Sequence, residues 1–310
     1  MDHETVPLPL DLYTLGRGLA YAAALALVGV ALFAALIPRW RGPDDDDQAL
    51  AARALAATWR WALVPALLLP LAHLLRAYGQ VRAFLEPGEP LQWEVAHPIL
   101  FGTAWGKGWL AQLAASLVAL PAVLLAPRRP AVGVALVGTA ALLVAGTSPL
   151  TGHALEHPWG AALGVGLHTL HLLGGGIWLG TLAAMFVAGI RQVRGGEDHA
   201  ALARLVAVFS PLALTGAGMA IGAGSLLGYA YVGSLPRLLA SQYGAALVTK
   251  VVVLFGVMGF GAWNWQRLLP MLGTPDATEA LRRSAGFELA VAVLLVAVTA
   301  VLVALPAPAL

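Results

Sequence analysis

Residues 160–190 read GAALGVGLHTLHLLGGGIWLGTLAAMFVAGI, a stretch without a single Asp, Glu, Lys or Arg. A helix needs about 20 apolar residues to cross a bilayer, so this run is long enough to span one. Within it His168 and His171 stand at i and i+3, which puts both imidazoles on one helical face. Gly174-Gly175-Gly176, Trp178 and Gly180 follow. Ionisable groups inside a hydrocarbon-spanning segment are costly, so they face a protein interior and mark a functional path. Imidazole is also the commonest metal ligand among side chains. One run therefore supplies both the fold class and the first candidate site.

The rest of the chain extends the pattern. Of 310 residues, 59% are hydrophobic and 11% charged, against about 25% charged in soluble proteins. Mean hydropathy is +0.79. The chain is expected to be an all-α, polytopic protein embedded in a lipid bilayer. Its net charge of +2 comes from scattered arginines, not a basic tract, so no nucleic-acid partner is expected. The absence of cysteine excludes disulfides, thiolate zinc sites and cysteine-ligated clusters.

Eight segments are apolar enough to span: 12–37, 55–78, 105–126, 131–150, 160–190, 203–230, 243–268 and 284–306. The separators are polar or rich in proline and glycine, including Pro38–Ala49, Gly79–Gly102 and Pro270–Arg283. The first run follows an acidic tail (Asp2, Glu4, Asp11), so it reads as a retained span and not a cleaved signal peptide. There is no internal repeat. Residues 1–310 are expected to form a single integral membrane domain, with a four-helix half at 1–150 and a second half at 151–310.

Basic residues set the orientation. One set of alternate loops holds Arg39, Arg41, Arg53, Arg128, Arg129, Arg191, Arg194, Arg204, Arg267, Arg282 and Arg283; the other holds only Arg76, Arg82, Lys107 and Arg237. The first set is expected to be cytoplasmic, with both termini outside. The Asp44–Asp47 run then falls in the first cytoplasmic loop, where a solvated cluster is the expectation.

In that frame the histidines sort to one side. His3, His97, His153 and His157 fall in the outer tail or loops, and His73 near the outer end of the second span. His168 and His171 lie about 12 and 16 Å past Gly160 along their helix. Only His199 is cytoplasmic. The distribution suggests a ligand arriving from outside, captured at His153 with His157, His97 or His73 as auxiliaries, then passed to His168 and His171. The competing reading is ordinary: a buried imidazole bonded to a backbone carbonyl and surface histidines in loops. Imidazole accepts copper, zinc, iron or nickel, so residue type alone does not choose the metal.

Met185, Met219 and Met258 fall in the middle or inner parts of the later spans and offer a soft thioether relay for Cu(I), although methionines there are more often packing residues. Lys250 and Arg17 are intramembrane cations that either snorkel outward or need a counter-charge, for which Glu156 is the outer-loop candidate. No phosphate-cradling loop, nucleophile–base pair or paired intramembrane carboxylates are present, which argues against an enzyme and against ATP-driven pumping.

Several local patterns together resemble the CopD copper-resistance family of inner-membrane proteins. Thr151-Gly152-His153-Ala154, His171-Leu172-Leu173 and Ile177-Trp178-Leu179-Gly180 are similar to its glycine-histidine-alanine turn and its histidine-to-tryptophan-glycine helix. Phe209-Ser210, Gly216, Tyr243-Gly244, Leu247, Lys250 and Asn264 resemble its C-terminal core, densest here over 151–270. Arg17 and Thr103, Gly106 and Trp109 resemble its N-terminal half. The resemblance implies eight helices in the bacterial cytoplasmic membrane, copper movement, and often a periplasmic CopC-like copper carrier as a separate partner. His168 lies outside that pattern and rests on spacing alone. Two other classes compete. One is a redox protein binding haem b between histidines of different helices, such as His73 and His171. The i, i+3 pair cannot sandwich a haem, which disfavours it. The other is a copper-handling assembly factor or sensor that does not transport.

Overall fold

The computed structural model describes residues 11–40, 45–196 and 198–307. His3 and Asp44 therefore lie outside the described residues. Among the described residues, eight helices are long and apolar enough to cross a membrane, as the hydropathy predicts. They are α1 (Leu12–Trp40), α2 (Asp45–Arg82), α3 (Ala104–Leu125), α4 (Pro130–Thr147), α5, α6 (Asp198–Val232), α7 (Gln242–Trp263) and α8 (Pro275–Ala304). Helix α5 begins as Ala161–Gly175 and continues through a π-helical turn at Gly176–Gly180 into Thr181–Ala188.

Helices α2, α6 and α8 each start earlier than the sequence-based boundaries, α2 and α8 by the most. Helix α8 takes in the stretch 275–283 that the sequence reads as separator. Thr274 caps it by accepting from the Ala277 N–H at 3.3 Å, Pro275 opens its first turn, and Asp276 faces the positive end of its dipole. Helix α2 starts at Asp45, and the expectation of a solvated acidic loop fails for Asp47. That carboxylate is 1% exposed and takes a two-pronged ion pair from Arg204 of α6, one arm being Nε to Oδ2 at 3.1 Å. A second pair, Arg53 with Asp198 at 2.6 Å, ties the same two helices. The partners are distant in sequence, so the charge run alone does not reveal them.

Helix α1 runs through the middle of the bundle, packed against α2, α4, α5 and α8. It meets α5 where both present glycine. A Cβ on Gly29 would stand 1.9 Å from the Gly180 carbonyl carbon, and one on Gly180 would stand 1.9 Å from the Leu25 carbonyl oxygen. Gly174 meets Ala220 and Gly216 of α6 in the same way, with a Cβ only 2.5 Å from the Ala220 nitrogen. The glycine-rich stretch is thus a close-packing device, since lipid tails give helices no hydrophobic reason to associate and small residues let backbones touch. Helix α7 is different: it packs along α8 and makes no extended contact with another long helix.

At the end of the bundle bearing His153, a buried polar network joins the first four helices. The Arg76 guanidinium donates to Gln112 Oε1 at 2.6 Å and to Thr151 Oγ1 at 2.7 Å. The Tyr13 hydroxyl oxygen receives N–H groups from Arg17 at 2.9 Å, Trp105 at 2.9 Å and Arg76 at 3.4 Å. Arg17 also donates to the Val303 carbonyl at 2.7 Å, fastening α1 to the end of α8.

Candidate functional site

Because α7 stands off from α6, a cavity of about 620 Å³ opens among α1, α5, α6, α7 and α8. Its wall is mainly aliphatic, but His168, His171, Lys250, Tyr231, Tyr243 and Trp178 all border it. The i, i+3 spacing on α5 thus puts two imidazoles into one space.

His171 is held most firmly. Its Nδ1 lies 2.6 Å from the Ala220 carbonyl oxygen. A carbonyl can only accept, so Nδ1 carries the proton and Nε2 keeps its lone pair. That backbone bond is the arrangement that orients a metal-binding imidazole. The ring fits because α6 has no side chain opposite: a Cβ on Gly224 would stand 2.8 Å from His171 Cε1. His168, one turn nearer the His153 end, shares a 3.0 Å hydrogen bond between its Nε2 and the Tyr231 hydroxyl.

Tyr231 is the organising residue that sequence reasoning missed. Its ring lies 5.8 Å from that of His168, 5.2 Å from His157 and 6.3 Å from His153. Three imidazoles from two chain stretches are therefore gathered around one phenol, not onto a common point. Among the described residues, no three histidines or carboxylates stand close enough to hold a metal ion together. A tyrosine near the end of an apolar span ordinarily reads as an interfacial anchor. Only the arrangement of α6 against the turn at 153–160 shows the other role.

His153 is half-buried on that turn, while His157 is buried at 4% exposure and has an unpartnered Nε2. Its Nδ1 accepts from the Trp159 N–H at 3.2 Å. Burial pushes the His157 imidazole below its ordinary value of 6.5. The packed turn therefore favours the neutral ring, and protonation favours the open loop. The stabilisation is present above about pH 6.5, the ordinary imidazole value, and is lost as pH falls below it. Trp159, whose ring lies 5.3 Å from His157, is the reporter. Its fluorescence is expected to change on acidification below that value, and a His157→Gln variant to abolish that change; an identical titration in the variant would refute this reading.

The other candidates lie elsewhere. His73 is buried at 4% exposure with Nδ1 unpartnered, but it does not border the cavity. It therefore shares no ligand space with His171, as a haem between them would require. His97 is exposed and clusters with Trp93 and Phe101. His199 bonds Thr278 Oγ1 at 2.7 Å near the opposite end. Glu156 is exposed and forms no ion pair with Arg17 or Lys250 among the described residues.

Toward the opposite end from His153, Trp178, Leu179, Val257, Ala292 and Leu295 form a buried apolar cluster, of which Trp178, Leu179 and Leu295 also border the cavity. Past it, Glu288 is buried at 3% exposure and accepts from Asn264 Nδ2 at 2.9 Å. Met185, Met219 and Met258 do not border the cavity. Met185 is buried in the core around Phe33 and Leu202, whereas Met258 is 37% exposed on the outer surface of α7. Met219 is half-buried.

Comparison with known proteins adds a family assignment to this geometry. The family model described as copper resistance protein D-like, N-terminal domain, matches residues 8–165, and the one described as copper resistance protein D matches residues 203–302. A curated relative, copper transport protein CutJ of Bacillus subtilis (strain 168), is 27% identical over 215 residues. That alignment covers 67% of this chain and 38% of the relative, so the chain spans well under half of that protein's length. No solved structure matches.

Proposed function

The chain belongs to the copper resistance protein D family, and on that premise we propose that it is a copper permease of the bacterial cytoplasmic membrane. Copper arrives from the periplasmic side at the turn carrying His153 and His157 and passes to His168 and His171 in the cavity. This reading takes the arginine-poor end as periplasmic, with both termini there. It gives the chain a binding and transport role, not an enzymatic one, and a CopC-like carrier as donor.

The observation that carries the reading is the His171 imidazole. Its proton is committed to Ala220 at 2.6 Å, its other nitrogen is free, and it shares a cavity with His168. With no thiolate or thioether on the cavity wall among the described residues, the donors are imidazoles, which suit copper without selecting Cu(I) as soft sulfur ligands do. The test uses the purified full chain in two formats. Copper stoichiometry with nitrogen hyperfine spectroscopy is expected to report bound copper with imidazole ligands. Sealed proteoliposomes are expected to take up copper. A chain that binds no copper would sink the proposal.

The buried apolar cluster around Trp178 favours a second reading, a copper-handling assembly factor or sensor. In that case the first assay gives bound copper and the second gives no flux.

A further inference from the structure

The cavity is poorly matched to a metal ion alone. About 620 Å³ falls within the roughly 300–1,000 Å³ range of pockets that hold a small organic molecule. Two imidazoles occupy one wall, while Leu25, Val251, Leu254, Leu295 and Val296 supply an aliphatic surface that an ion does not use. Lys250 borders the same space about 12 Å past Gln242 along α7. None of the hydrogen bonds or ion pairs of the described residues engages its ammonium. The cluster of Leu227, Tyr231, Tyr243 and Leu302 lies between it and the His153 end. An unpaired cation at that depth is costly and is retained where an anion completes it.

The cavity also has a side opening. Helices α6 and α7 make no extended contact. The rim residues Ser225 of α6 and Val251 of α7 are both exposed, and both border the cavity. A molecule dissolved in the hydrocarbon can therefore reach the Lys250 region sideways, without passing the histidine turn.

We propose that this cavity binds a single-chain amphiphile with an anionic oxygen headgroup, the headgroup on Lys250 and the acyl chain along the aliphatic wall between α6 and α7. The site is independent of whether copper is the cargo. A headgroup there also neutralises the Lys250 ammonium, the only lysine or arginine side chain bordering the cavity among the described residues, which otherwise repels a metal cation.

The experiment uses the purified full chain and a photoreactive diazirine analogue of palmitic acid, with crosslinks mapped by peptide mass spectrometry. Saturable labelling is expected on α6 and α7 between residues 218 and 254. The methyl ester of the same probe, and the acid on a Lys250→Met variant, are each expected to label about tenfold less or weaker still, as for loss of one buried charge partner. Lys250→Arg keeps the charge and is expected to restore labelling; thermal melts of both variants check folding. Competition by oleic acid and by oleoyl lysophosphatidic acid separates the two headgroup sources, since whichever competes at lower concentration names the natural one. Equal labelling by acid and ester, or unchanged labelling of Lys250→Met, overturns the proposal. Copper binding measured on the same samples keeps a failure of the permease reading separate.

Discussion

His171→Ala is expected to weaken copper binding by at least about tenfold, because losing even the partner that orients a metal ligand costs metal sites about 10–100-fold. The argument is geometric. Of the two cavity histidines, only His171 has its tautomer fixed by a carbonyl, through the 2.6 Å bond from Nδ1 to Ala220, so its Nε2 is ready to bind without rearrangement. His168 must first give up or share its 3.0 Å bond to Tyr231. A smaller version of the same lesion comes from the opposite helix. Gly224→Ala puts a methyl group 2.8 Å from the His171 ring, so the ring must shift while the ligand atom remains. Copper affinity is therefore expected to fall in the order wild type, Gly224→Ala, His171→Ala. His97→Ala, on the exposed cluster with Trp93, is expected to leave it unchanged. Isothermal titration on the purified variants measures this order, and an unaltered affinity in His171→Ala would remove the cavity from the copper path.

The largest effect on folding is expected at the crossing of α1 and α5. Overpacking a core by a few methylenes ordinarily costs about 1–3 kcal/mol, because side chains and backbone give way. Gly180→Val and Gly29→Val have no such relief. The atoms that a new Cβ meets at 1.9 Å are main-chain atoms of the facing helix, so the two helices must separate along their whole contact. Because α1 also packs against α2, α4 and α8, the disturbance spreads through the bundle. Either variant is expected to lose monodisperse protein on size-exclusion chromatography, or to melt well below wild type. Gly138→Val, where nothing lies within 4 Å of the added Cβ, is the matched control and is expected to behave as wild type. A Gly180→Val protein as stable as that control would mean the crossing is looser than described.

Much of this architecture is legible in hydropathy alone, for a physical reason. A bilayer imposes length and apolarity on each spanning helix separately, so each span announces itself locally. Boundaries set by partners are not local. Asp47 reads as part of a solvated acidic run until Arg204 is brought to it across α6. The start of α8 is readable in principle, since Thr274-Pro275-Asp276 is a helix-opening pattern, but the low apolarity of 270–283 makes that stretch read as a separator. At the site, His168 and His171 follow from spacing on one helix, and Lys250 from its charge. Tyr231 does not, because its meaning lies in three imidazoles delivered by another part of the chain.

The apolar cluster of Trp178, Leu179, Val257, Ala292 and Leu295 has a kinetic consequence. Copper moving from the histidines toward Glu288 meets that buried apolar cluster, so each crossing, as proposed, waits on helices α5, α7 and α8 rearranging. Collective motions of that kind take about microseconds to milliseconds. Flux is therefore expected to saturate with external copper as a turnover number does, and planar-bilayer recordings should show no unitary ionic currents.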